Sequence, residues 1–160
     1  MSALTADKIR LTRGEQSKVQ IEAALVTGQT VYVGSLVSWT TSGRVRAADN
    51  ATGQQFAGVV EEIVNDTNGS ISTATGNAAG TVRARIAYGH EVELDVRTAA
   101  RTFTNLGKTV FADSDDDVTD ATGAGTAAVR VRVGQLKQFT LANRSRAFVL
   151  LGVFGSTDAT

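Results

Sequence analysis

The sequence predicts an all-β protein, a small β-barrel or β-sandwich-like domain of short antiparallel strands with an extended N-terminal arm. Short runs of β-branched and aromatic residues show a period of two, and glycines separate these runs. Proline is absent and glycine reaches 16 of 160 residues, so the turns must rely on Gly, Asn and Asp. No segment carries an apolar stripe at helical spacing that would predict a long helix.

Residues 1–16 form the predicted N-terminal arm. Its isolated aliphatic residues alternate with basic ones and give no stripe that could fold alone. We expect deletion of residues 1–13 to leave the fold intact and to weaken binding to a partner. The predicted interface residues combine five arm positions with the single tryptophan: Leu4, Ile9, Arg10, Leu11, Arg13 and Trp39. The segment lacks the apolar stretch of a signal peptide, so we expect no cleavage.

The remaining residues, 17–160, are predicted as one β-rich domain. Its first clear strand follows Lys18, with Val19, Ile21 and Ala23 on one face. Short strands divided by glycines follow in TGQTVYVGSLVSWTTSGRVRAAD. The run QQFAGVVEEIVN predicts another strand, in which Gly58 marks a bulge or a close approach of another backbone.

The second half of the domain contains a predicted hairpin. Residues 66–80 are rich in Ser, Thr, Asn and Gly and predict a loop that is mobile or held by a neighbour. TVRARIAYGHEVELDV then predicts two paired strands with a turn at residues 88–90, so that Arg83 and Arg85 face the acids at positions 91, 93 and 95. Residues 97–107 predict a connector with a helical turn, and further strands follow, for ten to twelve in total.

An internal sequence similarity suggests two related β units, at about residues 17–65 and 81–154. GQTVYV at 28–33 is similar to GKTVFA at 107–112, and an apolar strand with one glycine follows each, around Gly58 and Gly134. Chance similarity is the alternative, because Gly-polar-Thr-Val-aromatic is a common way to begin a strand. The period is too long for a solenoid.

No motif predicts catalysis, a cofactor or a metal, and we expect no enzymatic activity. The only histidine, His90, lies in the predicted turn, which favours a solvated residue over a catalytic base. Asp113, Asp115 and Asp117 have calcium-loop spacing, but Val118 replaces the required glycine and Ala124 the bidentate glutamate. A solvated acidic turn is favoured over weak calcium binding.

Composition narrows the classes of partner. Sixteen basic residues balance sixteen acidic ones, so the chain lacks the positive field typical of nucleic-acid binding. No apolar run approaches a membrane span. There are no cysteines, which excludes disulfides and thiolate metal sites. Trp39 ends a predicted strand, where an aromatic residue more often closes a core than forms a sugar platform with Tyr32.

The chain resembles the small head decoration, or cement, proteins of tailed bacteriophages. The resemblance covers about residues 19–154 and rests on the order and spacing of GQTVYVGSLVSW, GRVRAAD, FAGVVEEI, TVRARIAYGHEVEL, LGKTVFADSDDDVT, VRVGQLKQF and AFVLLGVF. It implies a structural virion protein, made in the host cytoplasm, on the outer capsid surface. It also implies that the partners are the major capsid protein and further copies of the chain, in a trimer more often than a dimer.

The sequence is also compatible with two other functions. A tail-tube or other tail structural protein would share the β-rich composition and the absence of catalytic motifs, and its ring-stacking loop could be residues 66–80. A carbohydrate-binding module would need Trp39 and Tyr32 exposed and coplanar.

Overall fold

Short β-strands account for the regular structure of this chain, and the predicted all-β class is confirmed. The computed structural model describes residues 3–50, 54–65, 69–71, 73–127 and 129–160. The strands within these residues are β1 (Thr12–Arg13), β2 (Val19–Ala24), β3 (Thr30–Tyr32), β4 (Leu36–Trp39), β5 (Val45–Ala47), β6 (Gln55–Asn65), β7 (Gly69–Ile71), β8 (Thr73–Thr75), β9 (Val82–Tyr88), β10 (Glu91–Val96), β11 (Thr109–Ala112), β12 (Asp117–Thr119), β13 (Arg132–Phe139) and β14 (Arg146–Leu151). Three single 3₁₀ turns span Glu15–Ser17, Thr98–Ala100 and Phe103–Asn105, and the last two lie in the connector where a helical turn was predicted.

The C-terminal strands close into a five-stranded barrel, which we call the C-terminal barrel. Its order is β10-β12-β11-β13-β14, and β14 pairs back onto β10. Only β10 and β12 run parallel, while the other neighbours are antiparallel. The short strand β1 of the N-terminal arm adds to the free part of the β10 edge.

The N-terminal strands form a second five-stranded sheet, which we call the N-terminal sheet. Its order is β2-β9-β6-β4-β5, and β7 extends β6. A single parallel bridge between Leu25 and Val45 brings its first and last strands together. The strands β3 and β8 pair beside it as a separate ribbon.

The two sheets share one topology. Taken in chain order, β2, β4, β5, β6 and β9 correspond to β10, β11, β12, β13 and β14, and every pairing among these ten strands has its counterpart. The parallel bridge of Leu25 with Val45 corresponds to the pair of Val96 with Val118.

The bulges also correspond. Val37 lies opposite Gly58 and Val110 opposite Gly134, and the register shifts after each valine. Residues 34–39, rather than 28–33, therefore correspond to residues 107–112, which corrects the alignment drawn from the sequence. The descent of both sets of strands from one ancestral unit stays a prediction.

Gly58 and Gly134 occupy matched close approaches. A Cβ at Gly58, whose φ is +148°, would lie 2.4 Å from the carbonyl oxygen of Ala87. A Cβ at Gly134 would lie 2.1 Å from the carbonyl oxygen of Leu150. The bulge and close approach predicted at Gly58 are confirmed, because only glycine leaves room for the neighbouring strand.

The two sheets pack against each other. The largest apolar cluster combines the interior of the C-terminal barrel with residues of the N-terminal sheet, among them Leu36, Val59 and Ala87. A second cluster around Val37, Ile63 and Ile86 fills the N-terminal sheet.

Two sequence-based predictions about the middle of the chain were wrong. The strands β9 and β10 exist, but they do not form a hairpin, because β9 pairs with β2 and β6 while β10 belongs to the barrel. Arg83 consequently pairs with Glu22 instead of the β10 acids. The predicted loop at 66–80 contains β7 and β8, which pair with β6 and β3. Its residues 66–68 and 72 lie outside the described residues.

Candidate interaction surface

The N-terminal arm crosses the seam between the two sheets and bonds to both. On the N-terminal sheet side, the Lys8 N–H donates to the Val33 carbonyl at 2.9 Å, and the Val33 N–H donates to the Asp7 carboxylate at 3.0 Å. On the barrel side, the Glu93 N–H donates to the Leu11 carbonyl at 2.8 Å. The arm is therefore a strap that holds the two sheets together. In contrast to the expectation from the sequence, deletion of residues 1–13 should destabilise the fold, because it removes these bonds.

The basic side chains of the arm point inward. The Lys8 ammonium lies 2.6 Å from the Asp95 carboxylate and 2.7 Å from that of Asp116. The Arg10 guanidinium, with only 4% of its side chain exposed, lies 3.0 Å from Asp116 and donates to the Gly34 carbonyl at 2.7 Å. A charge as deeply buried as that of Arg10 is stable only when it is paired and hydrogen-bonded, as this one is.

The acidic turn between β11 and β12 receives the arm, and the prediction of a solvated turn was wrong. Asp115, Asp116, Asp117 and Asp120 are all buried. Asp115 accepts hydrogen bonds from the Leu4 N–H at 3.0 Å and from the Ser35 hydroxyl at 2.8 Å. No group of His, Asp or Glu side chains within the described ranges is arranged to hold a metal ion.

Burial and ion pairing shift the pKa values of these carboxyl groups in opposite directions. Burial raises the pKa of Asp115 and of Asp117. Burial also acts to raise the pKa of Asp95, but hydrogen bonds and charge from Lys8, then from Arg146, outweigh it and hold this pKa below its usual value. Asp95 is therefore the carboxylate whose ionised form is stabilised by the strap.

The aliphatic side chains of the arm point outward. Ile9, between the inward-pointing Lys8 and Arg10, is 98% exposed, and Leu11, which follows Arg10, is 63% exposed. Val19, at the start of β2, is 43% exposed. A strand on a protein surface usually turns its apolar residues in and its polar residues out. This arm has the reverse pattern, so its outer face is apolar.

The other predicted interface residues have mixed positions. Leu4 is half-buried and contacts the acidic turn through its backbone. Arg13 pairs with Glu91 at 3.1 Å and covers the Phe148 ring at 3.8 Å. Trp39 is half-buried and packs against the core of the N-terminal sheet. It lines a groove of about 460 Å³ with Ile21, Phe56, Tyr88 and Phe154 and with no residue of the arm.

His90 is not the solvated turn residue that the sequence predicted. Its side chain is buried, and neither ring nitrogen has a hydrogen-bond partner among the described residues. It lines a cavity of about 330 Å³ between the arm and the sheets, with Val59, Val60 and Val92. The alternation along β10 places His90 on the same inward face as Val92, which explains its burial.

The sequence predicted the arm but not the acidic residues that bind it, Asp95, Asp115 and Asp116. The complementary charges of the basic arm and the acidic run at 113–117 were the available signal.

None of the helical turns in the described part of the chain is long and apolar enough to cross a membrane. No protein-family model matches this chain, and no curated protein matches it significantly.

Proposed function

We propose that this protein is a structural virion protein that binds the outer surface of an assembled tailed-phage head and stabilises it, with the major capsid protein as its partner. The outward-facing Ile9 and Leu11 on a strap anchored by buried ion pairs carry the proposal. An apolar surface of this kind contributes to affinity when binding removes it from water. The arm is already ordered in the folded protein, so binding carries no further entropic cost of ordering it.

The chemistry of the surface fits protein–protein contact better than catalysis. Full burial of an aliphatic side chain contributes about 1.5–3 kcal/mol, so one copy binds weakly through two such residues once association costs are subtracted. Many copies on one lattice, joined to each other as a homo-oligomer, give a stable coat through multivalency. The resemblance to decoration proteins supports the same role.

Co-sedimentation with heads of the phage that carries the gene tests the proposal. We expect the protein to saturate expanded, genome-filled heads and not unexpanded shells. The double variant Ile9→Asn and Leu11→Asn should lose at least tenfold in affinity and keep the wild-type melting temperature, because both side chains are exposed. Phe103→Asn is the matched control, since Phe103 is 67% exposed and lies outside the arm.

Equal binding of all three proteins would refute the role of the arm. Absence of binding to either particle, with rings or tubes forming in solution, would favour the alternative of a tail structural protein.

A further inference from the structure

The outer edge of β2 differs from the matching edge of its counterpart, β10. On β10 the arm occupies this edge: Thr12 lies opposite Val92, Arg13 opposite Glu91, and Leu11 accepts from the Glu93 N–H. In the common topology, Gln20 of β2 corresponds to Glu91 of β10, Ile21 to Val92, and Glu22 to Glu93.

The equivalent edge of β2 is open. Among the described residues, no strand pairs with the outer edge of β2 between Val19 and Ala23, and only Leu25, beyond its end, bridges to β5. Burial reflects the difference, because Ile21 is half-buried where Val92 is fully buried. Unpaired edge strands are templates for strand addition.

The direction of the backbone groups follows from the pairing with β9. Leu25 donates its N–H inward to the Val82 carbonyl, so the alternation along the strand directs the N–H groups of Gln20 and Glu22 outward. The Glu93 N–H, which corresponds to that of Glu22, is the one that bonds to the arm.

We propose that β2 pairs antiparallel with β2 of a second copy of this chain, around a two-fold axis at Ile21. This register places Gln20 of one copy, whose side-chain amide donates to Glu61 of its own sheet, opposite Glu22 of the other, and Val19 opposite Ala23. It places no like charges directly opposite each other, and it covers the exposed Val19.

Charge complementarity favours a second copy over a basic strand similar to the arm. On β10, the arm brings Lys8 and Arg13 to the acidic residues Asp95 and Glu91. On β2, Glu22 is already paired with Arg83 at 3.2 Å and with Arg85 at 3.5 Å within its own sheet. The nearly neutral edge of β2 matches another copy of itself. The resulting unit is a dimer, in contrast to the trimer that the family resemblance implies more often.

Sedimentation equilibrium of the full chain without heads tests the pairing independently of capsid binding. We expect a reversible dimer at micromolar concentration. Gln20→Pro removes an outward N–H without touching the bonds to β9 and should weaken association at least tenfold. Gln20→Ala keeps that N–H and should still dimerise. Circular dichroism of both variants checks that they fold.

A cysteine on the proposed axis gives a second measurement, because the chain has no native cysteine. Residues opposite each other in a non-hydrogen-bonded antiparallel pair lie about 4.5 Å apart, within the range of a disulfide. Ile21→Cys should oxidise rapidly to a covalent dimer, and Leu141→Cys, exposed elsewhere, should not. A wild-type monomer, a trimer that Gln20→Pro leaves intact, or equal cross-linking of both cysteine variants would overturn the proposal.

Discussion

Substitution of Arg10 by methionine tests whether the strap is held by its buried charge. The change removes the 3.0 Å pair with Asp116 and the 2.7 Å bond to the Gly34 carbonyl, and it retains a side chain of similar length. Loss of one partner of a buried pair costs about 3–5 kcal/mol. Asp116 keeps Lys8 at 2.7 Å, so we expect the lower end, about 3 kcal/mol.

Urea unfolding at pH 7 measures this cost, with Arg13→Met as the matched control on the same arm. Arg13 is 40% exposed in its pair with Glu91, so its loss should cost about 1 kcal/mol or less. Hydrogen exchange of the Lys8 amide, which bonds to Val33, reports strap detachment directly. If Arg10→Met costs no more than Arg13→Met, the charged groups do not anchor the strap and this reasoning fails.

Three further substitutions, one of them with a matched control, test other parts of the structure. Asp95→Asn should lower the free energy of unfolding at pH 7 by about 1 kcal/mol. Because the folded-state pKa of Asp95 is depressed, its contribution is present above the unfolded pKa, and the gap from wild type should close in acid urea titrations as pH falls below about 4. Gly134→Ala should cost about 2–3 kcal/mol in thermal unfolding through the clash with the Leu150 carbonyl. Gly43→Ala, with open space but a φ of +75°, should cost about 1 kcal/mol, and an equal cost would remove the steric argument. His90→Leu should raise stability by about 1 kcal/mol, because it removes two buried nitrogens that have no hydrogen-bond partner in the described part of the chain, and a loss of stability would indicate that the imidazole has a structural partner.

Local pattern predicted the strands well and their partners poorly. The period of two identified β2, β9 and β10, and Gly58 marked its bulge, because both signals depend on neighbouring residues. The hairpin of β9 and β10 was wrong because the chain passes there from one sheet to the other. Consecutive strands usually pair, and nothing in the Tyr88–His90 turn distinguishes a crossing from a hairpin.

The acidic residues that bind the arm could not be predicted for a similar reason. A run of aspartates is typical of a solvated turn, and the two cations that neutralise Asp116, on Lys8 and Arg10, lie 108 and 106 residues away in the chain. Burial of His90 likewise depends on packing between the sheets. The isolated apolar residues of the arm were visible in the sequence, whereas their outward direction follows from the inward ion pairs of Lys8 and Arg10.

Imaging of decorated heads at a resolution that separates the two sheets tests the proposed function most directly. The account predicts symmetry-related density on the outside of expanded heads, with the arm face, marked by Ile9 and Leu11, in contact with the major capsid protein. Density on the tail, or on the head with the arm face turned to solvent, would contradict it.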